Sequence, residues 1–175
     1  RRYVVETGHG PLGVLVLDRE NEGAGMLGRL IAQLRTREEV LPREAVAMRA
    51  ALDQTALLSL AVSQAGARTP RLRKALKVGA DAVALVYDHV PGRPLSDVPA
   101  GEITDDMLHD LWKQLKRLHE NQIAHRRLSG RSILIGDDGH VWLLNPSGGE
   151  IAAPDLASRV DLAQALVAVG LVVGA

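Results

Sequence analysis

The sequence predicts an α+β fold with a β-rich first half and a helical second half. Short apolar stretches rich in β-branched residues open the chain, which favours strands. Further along, apolar residues recur at helical spacing, including one stripe between Met107 and Leu118. The clearest turn signal between these patterns is Pro91-Gly92-Arg93-Pro94. We therefore expect a first lobe of residues 1–91 and a second lobe of residues 92–175.

The first half is expected to hold two pairs of strands separated by helices. The expected elements are strands at 3–5 and 14–17, helices at 26–34 and 43–64, and a hairpin of 75–78 with 83–90. Gly8-His9-Gly10-Pro11 turns the first pair of strands, and Gly66 stands where the C-cap of the long helix belongs.

The second half is expected to hold a helix, a hairpin and a last helix. Thr104 or Asp105 caps the first helix, whose first turn is acidic. A polar loop at 125–131 leads into strands at 132–135 and 141–144, and the last helix begins near Pro154.

The chain closes with an apolar run from Leu162 to Ala175. This run is shorter than the roughly 20 residues that span a bilayer, so we interpret it as a buried helix. The alternative is that the sequence is cut just before a membrane segment. Because it begins with Arg1 rather than Met, we expect it to be an excerpt from a longer protein.

The composition argues against several classes of function. Lys+Arg and Asp+Glu each number 21 in 175 residues, whereas nucleic-acid binding usually shows as a basic excess. Phenylalanine is absent, which excludes an aromatic platform for single-stranded nucleic acid. Cysteine is absent too, which fits a reducing cytosol. His119 and His125 are six residues apart, which is not a metal-ligand spacing, so no metal site is expected.

Four segments of the second half follow one another in an order typical of one family. They are Ile123-Ala124-His125-Arg126-Arg127-Leu128, Ser132-Ile133-Leu134-Ile135, Leu143-Leu144-Asn145-Pro146-Ser147 and Val160-Asp161-Leu162. They resemble the catalytic loop, short hairpin, metal-binding loop and supporting helix of protein kinases. The resemblance covers essentially the whole chain and implies a truncated bilobal kinase-like fold. Its β-rich N-lobe would carry a long helix C, and its helical C-lobe would be reduced.

Within that family, the chain is similar to the kinase-like cytosolic segment of large actinobacterial membrane proteins. Their membrane part is flippase-like or lysylphosphatidylglycerol-synthase-like. The composition, rich in Ala, Arg, Gly and Val, suits that group. This similarity implies a location on the cytoplasmic side of the cell membrane, as part of a longer protein.

The resemblance also marks the positions where phosphoryl transfer needs particular groups. The expected Lys is replaced by Leu15 or Leu17, and the expected helix C Glu by Gln54. The expected catalytic Asp is replaced by Arg127, the metal-binding Asn by Ser132 and the metal-binding Asp by Asn145. Two structural supports remain by the same resemblance. His125 would pack beneath the catalytic loop, and Asp161 would accept hydrogen bonds from the backbone of that loop.

We therefore expect a catalytically inactive pseudokinase that acts as a binding or regulatory module, without Mg-ATP or another cofactor. Its partner would be a protein or an attached membrane domain. The alternative is an atypical nucleotide-binding phosphotransferase with relocated residues such as Arg19, Asp138 or Glu150. Gly8 to Gly13 fits a Gly-x-Gly-x-x-Gly pattern, but Pro11 removes a phosphate-binding donor, so a simple turn is favoured.

Arg126, Arg127 and Arg131 form a basic cluster in the expected cleft. Solvated loop charges are the simpler interpretation. The alternatives are contact with a phosphate or another anion, and proximity to an anionic membrane surface.

Overall fold

The computed structural model describes residues 2–8, 10–18, 46–77, 82–144 and 148–174. The expected helix at 26–34, Arg19 and Asn145 lie outside these residues. The chain forms two compact units. The first consists of Arg1–Ala56 with Leu72–His89, and the second of Leu57–Arg71 with Val90–Ala175.

The first unit contains a four-stranded antiparallel sheet. Its strands are β1 (Arg2–Thr7), β2 (Gly10–Asp18), β3 (Leu72–Lys77) and β4 (Ala82–Asp88), in the order β1-β2-β4-β3. Because side chains alternate along a strand, the two faces of the sheet bury different sets. Val14, Val16 and Val86 pack on one face, and Leu15 and Leu85 pack on the other.

Helix α1 (Val46–Gln64) is the long helix that the sequence predicts before the second pair of strands. Leu52, near its start, packs with the Leu15 face of the sheet in the first unit. Its later residues belong to the second unit, where Leu58 and Val62 are buried. The helix is followed by Gly66 with a φ of 75°, a left-handed conformation that glycine adopts without strain.

After the end of α1, the second unit continues with β5 (Gly92–Pro94), two 3-10 turns (Leu95–Asp97 and Ala100–Glu102) and helix α2 (Asp105–Glu120). Thr104 is the N-cap of α2, and its hydroxyl accepts a hydrogen bond from the Met107 amide at 3.3 Å. The predicted turn at 91–94 therefore contains a short strand, because β5 pairs with the strand that follows the polar loop.

The remaining elements of the second unit surround that loop. They are β6 (Ile123–Ala124), β7 (Ile133–Gly136), β8 (Val141–Leu143), β9 (Glu150–Ile151) and helix α3 (Asp155–Val173). The sheets are antiparallel, with β7 between β5 and β8, and β6 paired with β9. The largest hydrophobic core formed by the described residues lies here and includes Leu115, Leu118, Ile133 and Leu143.

Helix α3 is packed differently from the sequence prediction. Its buried side chains are Ala157, Asp161, Ala165 and Ala168, whereas its larger apolar side chains are exposed. The interpretation of the run after Leu162 as a buried helix is therefore wrong for those side chains. By length and composition alone, α3 is also apolar enough to cross a membrane. Only 22% of its most apolar window is buried inside the protein.

The α+β fold class is confirmed by these helices and antiparallel sheets in the described residues.

Candidate functional site

The loop at 125–132 is the place where the sequence concentrates its candidate residues. It begins directly after β6, whose Ala124 pairs with Glu150 of β9, and it ends at β7. Arg126 has a φ of 61°, in the left-handed region that non-glycine residues seldom adopt. Such a conformation needs support from the surrounding structure.

Asp161 of α3 supplies that support. Its side chain is completely buried, and its two oxygens accept hydrogen bonds from consecutive loop amides. Oδ2 accepts from His125 N and Oδ1 from Arg126 N, each at 2.6 Å. His119 Nε2 of α2 lies 3.4 Å from Oδ2. A carboxylate with two acceptors is well suited to hold a loop whose amides point in one direction.

His125 lies beneath the loop and is 1% exposed. Its Nε2 lies 3.0 Å from the carbonyl oxygen of Leu144, so the ring connects the loop to the chain after β8. Burial lowers the pKa of His125, although the Leu144 carbonyl and the Asp161 carboxylate oppose that effect. The neutral ring then donates its Nε2 proton to Leu144.

Ser132 closes the loop from its other end. Its hydroxyl oxygen accepts a hydrogen bond from the Ser129 amide at 2.8 Å and lies 3.1 Å from the Arg127 carbonyl oxygen. The carbonyl of Ser132 accepts from the Leu144 amide at 2.8 Å. The side chain of Ser132 therefore makes its hydrogen bonds within its own loop.

Gln164 is a loop-binding residue that the sequence interpretation missed. Its Oε1 accepts a hydrogen bond from the Leu128 amide at 2.9 Å, and its Nε2 lies 3.4 Å from the Arg126 carbonyl oxygen. It stands one helical turn after Asp161, so both side chains lie toward the loop. That spacing, in a helix already expected to support the loop, was the available signal.

The three arginines have different surroundings. Arg126 forms an ion pair with Glu150, so its charge is already matched. The side chain of Arg127 is exposed and lies over Gly148, where an added Cβ would come within 2.7 Å of Arg127 Cδ. Arg131 is exposed as well. Among the described residues, no carboxylate lies within ion-pair distance of Arg127 or Arg131.

The candidate positions of the first unit hold no charged group. Leu15 is buried in the sheet at 7% exposure, and the side chain of Leu17 lies outside the described residues. Gln54 of α1 is exposed. Within the described part of the chain, no three His, Cys, Asp or Glu side chains are grouped so that they could hold a metal ion.

No protein-family model and no curated protein sequence matches this chain.

A second polar cluster of the second unit was not predicted from the sequence. Arg68 Nη1 donates to both carboxylate oxygens of Asp110 at 2.7 Å, and Gln114 Nε2 donates to Asp110 Oδ1 at 2.9 Å. Asp110 Oδ2 also accepts from the Val141 amide at 2.9 Å. Burial raises the pKa of Asp110, but the hydrogen bonds from Arg68, Val141 and Gln114 outweigh that effect and lower it overall.

This cluster has a structural function. It connects the segment after α1 with α2 and β8, and Gln114 Oε1 accepts the Arg68 amide at 2.9 Å. The Asp110 carboxylate is saturated by donors from protein groups, which leaves it poorly suited to bind a ligand.

Proposed function

We propose that this chain is a kinase-like domain without phosphotransferase activity, and that it acts as a binding or regulatory module. The observation that carries the proposal is the loop at 125–132. Its backbone is held by Asp161, His125 and Ser132, while the side chain at its expected catalytic position is the exposed Arg127. The loop keeps its supporting hydrogen bonds, but an arginine stands where phosphoryl transfer would need an aspartate. This combination favours binding of a partner over catalysis.

The loop frame agrees with what the kinase resemblance implies for its two supports. Asp161 accepts hydrogen bonds from the loop backbone, and His125 is buried beneath the loop. Among the described residues, the order of strand pair, long helix, strand pair, helix, loop, hairpin and helix agrees with the order that the resemblance implies. These agreements support the kinase-like assignment as a proposal.

The alternative of an enzyme with relocated residues is less favoured because the available carboxylates have other partners. Glu150 is paired with Arg126. Asp138 Oδ1 accepts a hydrogen bond from the His140 amide at 3.0 Å, which is a turn contact two residues along the chain. A hard cation such as Mg²⁺ needs several charged oxygen ligands, and among the described residues no three His, Cys, Asp or Glu side chains are grouped so that they could hold a metal ion.

In this proposal the partner is a protein or a membrane domain of the same longer protein, on the cytoplasmic side of the cell membrane. Arg127 and Arg131 are the side chains of the loop best placed to contact an anionic group on that partner, because both are exposed. The net charge of zero agrees with a local contact rather than a general attraction to polyanions.

The test is a thermal titration with ATP and Mg²⁺. A ligand at 100 times its Kd adds about 2.7 kcal/mol of stability. For a chain of this size that raises the Tm by roughly 5–10 °C. We expect no saturable rise in Tm with millimolar Mg-ATP.

Three controls accompany that titration. ATP without Mg²⁺ and Mg²⁺ with inorganic phosphate separate nucleotide recognition from weak anion binding, and Arg127→Ala removes the exposed loop charge. A saturable shift that requires both ATP and Mg²⁺ would contradict the proposal and favour the alternative enzyme.

A further inference from the structure

Helix α3 presents its larger apolar side chains to solvent. Ala157, Ala165 and Ala168 are buried on the inner face of the helix, where Val169 and Val172 also pack, partly buried, against the core. The outer side chains are exposed by between 40% and 82%. They are Leu156, Val160, Leu162, Leu166, Val167, Leu171 and Val173. We call this set the outer face of α3.

The outer face is unusual for a surface helix. Helices of globular proteins normally place their bulky apolar residues inward and their polar residues outward. A contiguous exposed apolar patch rimmed by polar residues marks an interaction site. The length of the outer face and its apolar side chains therefore favour a binding partner with an apolar surface.

Small residues run along the middle of this face. At 100° per residue, Ala163 and Gly170 lie between the two rows of larger side chains, in line with Arg159. A Cβ added at Gly170 would meet nothing within 4 Å, so packing inside the chain does not require glycine there. Glycine in a helix interior costs about 1 kcal/mol relative to alanine, and its use allows another helix to approach closely.

The charges of α3 complement a second copy in antiparallel orientation. The exposed Arg159 lies in the N-terminal half of the helix, and the last turn contains no basic residue. When the midpoints of two antiparallel copies coincide, residue 159 of one lies opposite residue 169 of the other. The arginine side chain then reaches the last carbonyls of the other helix, which carry partial negative charge.

From these observations we infer that a second copy of this chain binds the outer face of α3, with the two helices antiparallel. Each copy supplies about 28 Å of helix at 1.5 Å per residue. Seven large apolar side chains along that length supply an area of the order of the roughly 800 Å² per partner in a standard interface. Homodimer interfaces are also the more apolar class.

A lipid surface is a less suitable occupant. Helices that lie in a membrane interface carry many Lys and Arg residues beside the apolar face. Arg159 is the only Lys or Arg in α3, and the face opposite the apolar one is packed inside the domain through Asp161.

The first test measures the mass in solution by sedimentation velocity from low to high micromolar concentration. We expect the mass to rise to twice 18.8 kDa, and Leu166→Glu to raise the dimer Kd at least 100-fold. Leu57→Glu is the matched control, since Leu57 of α1 is 60% exposed and Leu166 is 61% exposed. Circular dichroism checks that both variants remain folded.

The second test reads the orientation from introduced thiols, which is clean because the chain has no cysteine. Val160→Cys and Leu171→Cys lie near opposite ends of the outer face. In the antiparallel dimer, a mixture of these two variants forms disulfide-linked heterodimers faster than either variant links to itself. Faster linkage of each variant to itself would overturn the antiparallel arrangement.

Other results would overturn the dimer itself. A protein that stays monomeric at high micromolar concentration contradicts it, as does a dimer whose Kd is equal for Leu166→Glu and the parent. Flotation of monomers with vesicles of anionic lipid, abolished by Leu166→Glu but not by Leu57→Glu, would assign the outer face to a membrane surface instead. None of these results depends on nucleotide binding, so the dimer and the proposed function fail separately.

Discussion

Asp161 is the single acceptor that orders two consecutive amides of the loop at 125–132. Both amides lie at 2.6 Å from its carboxylate, and the side chain is out of contact with water. A buried N–H without a partner costs about 1–3 kcal/mol. The loop therefore depends on this carboxylate more than on any exposed charge near it.

Asp161→Ala is expected to lower the free energy of unfolding by about 2–4 kcal/mol, because it leaves both amides without an acceptor. Asp161→Asn should cost less, since its amide oxygen still accepts one bond. Urea denaturation measures both values. Asp155→Ala, at an exposed position of the same helix, is the control and should cost about 1 kcal/mol or less. Equal losses for Asp161→Ala and Asp155→Ala would contradict the assigned role.

His125 makes stability depend on pH. Burial holds its pKa in the folded protein below the ordinary value of 6.5. At pH values between the folded and unfolded pKa, His125 is therefore protonated in the unfolded chain but neutral in the folded protein. Stability is fully present above about pH 6.5 and is lost as the pH falls toward the lower folded pKa. The slope contributed by one such histidine is up to about 1.4 kcal/mol per pH unit.

The measurement is urea denaturation at several pH values between 7 and 5. We expect the parent protein to lose stability more steeply than His125→Gln over that interval. His109→Gln, which changes an exposed histidine of α2, should keep the steep slope. The assignment to His125 fails if the parent and His125→Gln give parallel curves.

At this scale the sequence predicted residues that belong to a contiguous motif and missed those that meet only in three dimensions. His125 and Asp161 were named from their motif, and both contact the loop. Asp110 and Gln114 are four residues apart on α2, but Arg68 comes from a distant segment, so no spacing in the sequence indicated its contact with Asp110. Arg68 and Asp110 are 42 positions apart in the sequence. Their contact is set by tertiary packing, which composition and periodicity do not describe.

At the scale of elements, β5 shows how a turn signal can conceal a strand. Gly92 of β5 lies against β7, where an added Cβ would come within 2.3 Å of the Ile135 carbonyl oxygen. Its φ is 153°, which other residues seldom adopt. The sequence predicted the turn from its Pro and Gly residues, but the glycine also permits close pairing of two strands.

Gly92→Ala is expected to destabilise the protein by at least about 2 kcal/mol, because both the backbone conformation and the β5–β7 contact must shift. Gly101→Ala is the control, since a Cβ there would meet nothing within 4 Å. Thermal melts of the two variants provide the comparison. A Gly92→Ala variant that melts with the parent protein would show that the β5–β7 pairing adapts freely.

Helix α3 shows the limit of hydrophobicity as a predictor of burial. The run after Leu162 is apolar, which indicated a buried helix, yet the apolar side chains that are fully buried are alanines and the leucines are exposed. Periodicity finds apolar positions but does not say which side of a helix has room for large side chains. That choice depends on the distance between α3 and the neighbouring elements, which only the folded structure supplies.

At the scale of the whole molecule, the buried clusters formed by the described residues differ in size between the two units. Sixteen buried residues form the largest cluster of the second unit, whereas the largest cluster described in the first unit has six. Because burial of apolar surface is the main source of stability, the second unit should hold its structure more firmly. The sequence anticipated a β-rich and a helical half, but not that residues 57–71 belong with the second unit.

Native-state hydrogen exchange tests that difference. We expect the slowest amides to lie in α2 and β8, for example at Leu115 and Leu143, and those of β2 and β4 to exchange faster. Both sets are in buried, hydrogen-bonded elements, so intrinsic exposure does not explain a difference. Slower exchange at Val14 and Val86 than at Leu115 would reverse the expected order of stability.

The division into two units has a practical consequence for spectroscopy. Both tryptophans, Trp112 and Trp142, belong to the second unit, and both tyrosines, Tyr3 and Tyr87, belong to the first. Tryptophan fluorescence excited at the red edge of the absorption band, where tyrosine does not absorb, therefore reports on the second unit. The loss of structure in that unit is visible in the unmodified protein without an introduced label.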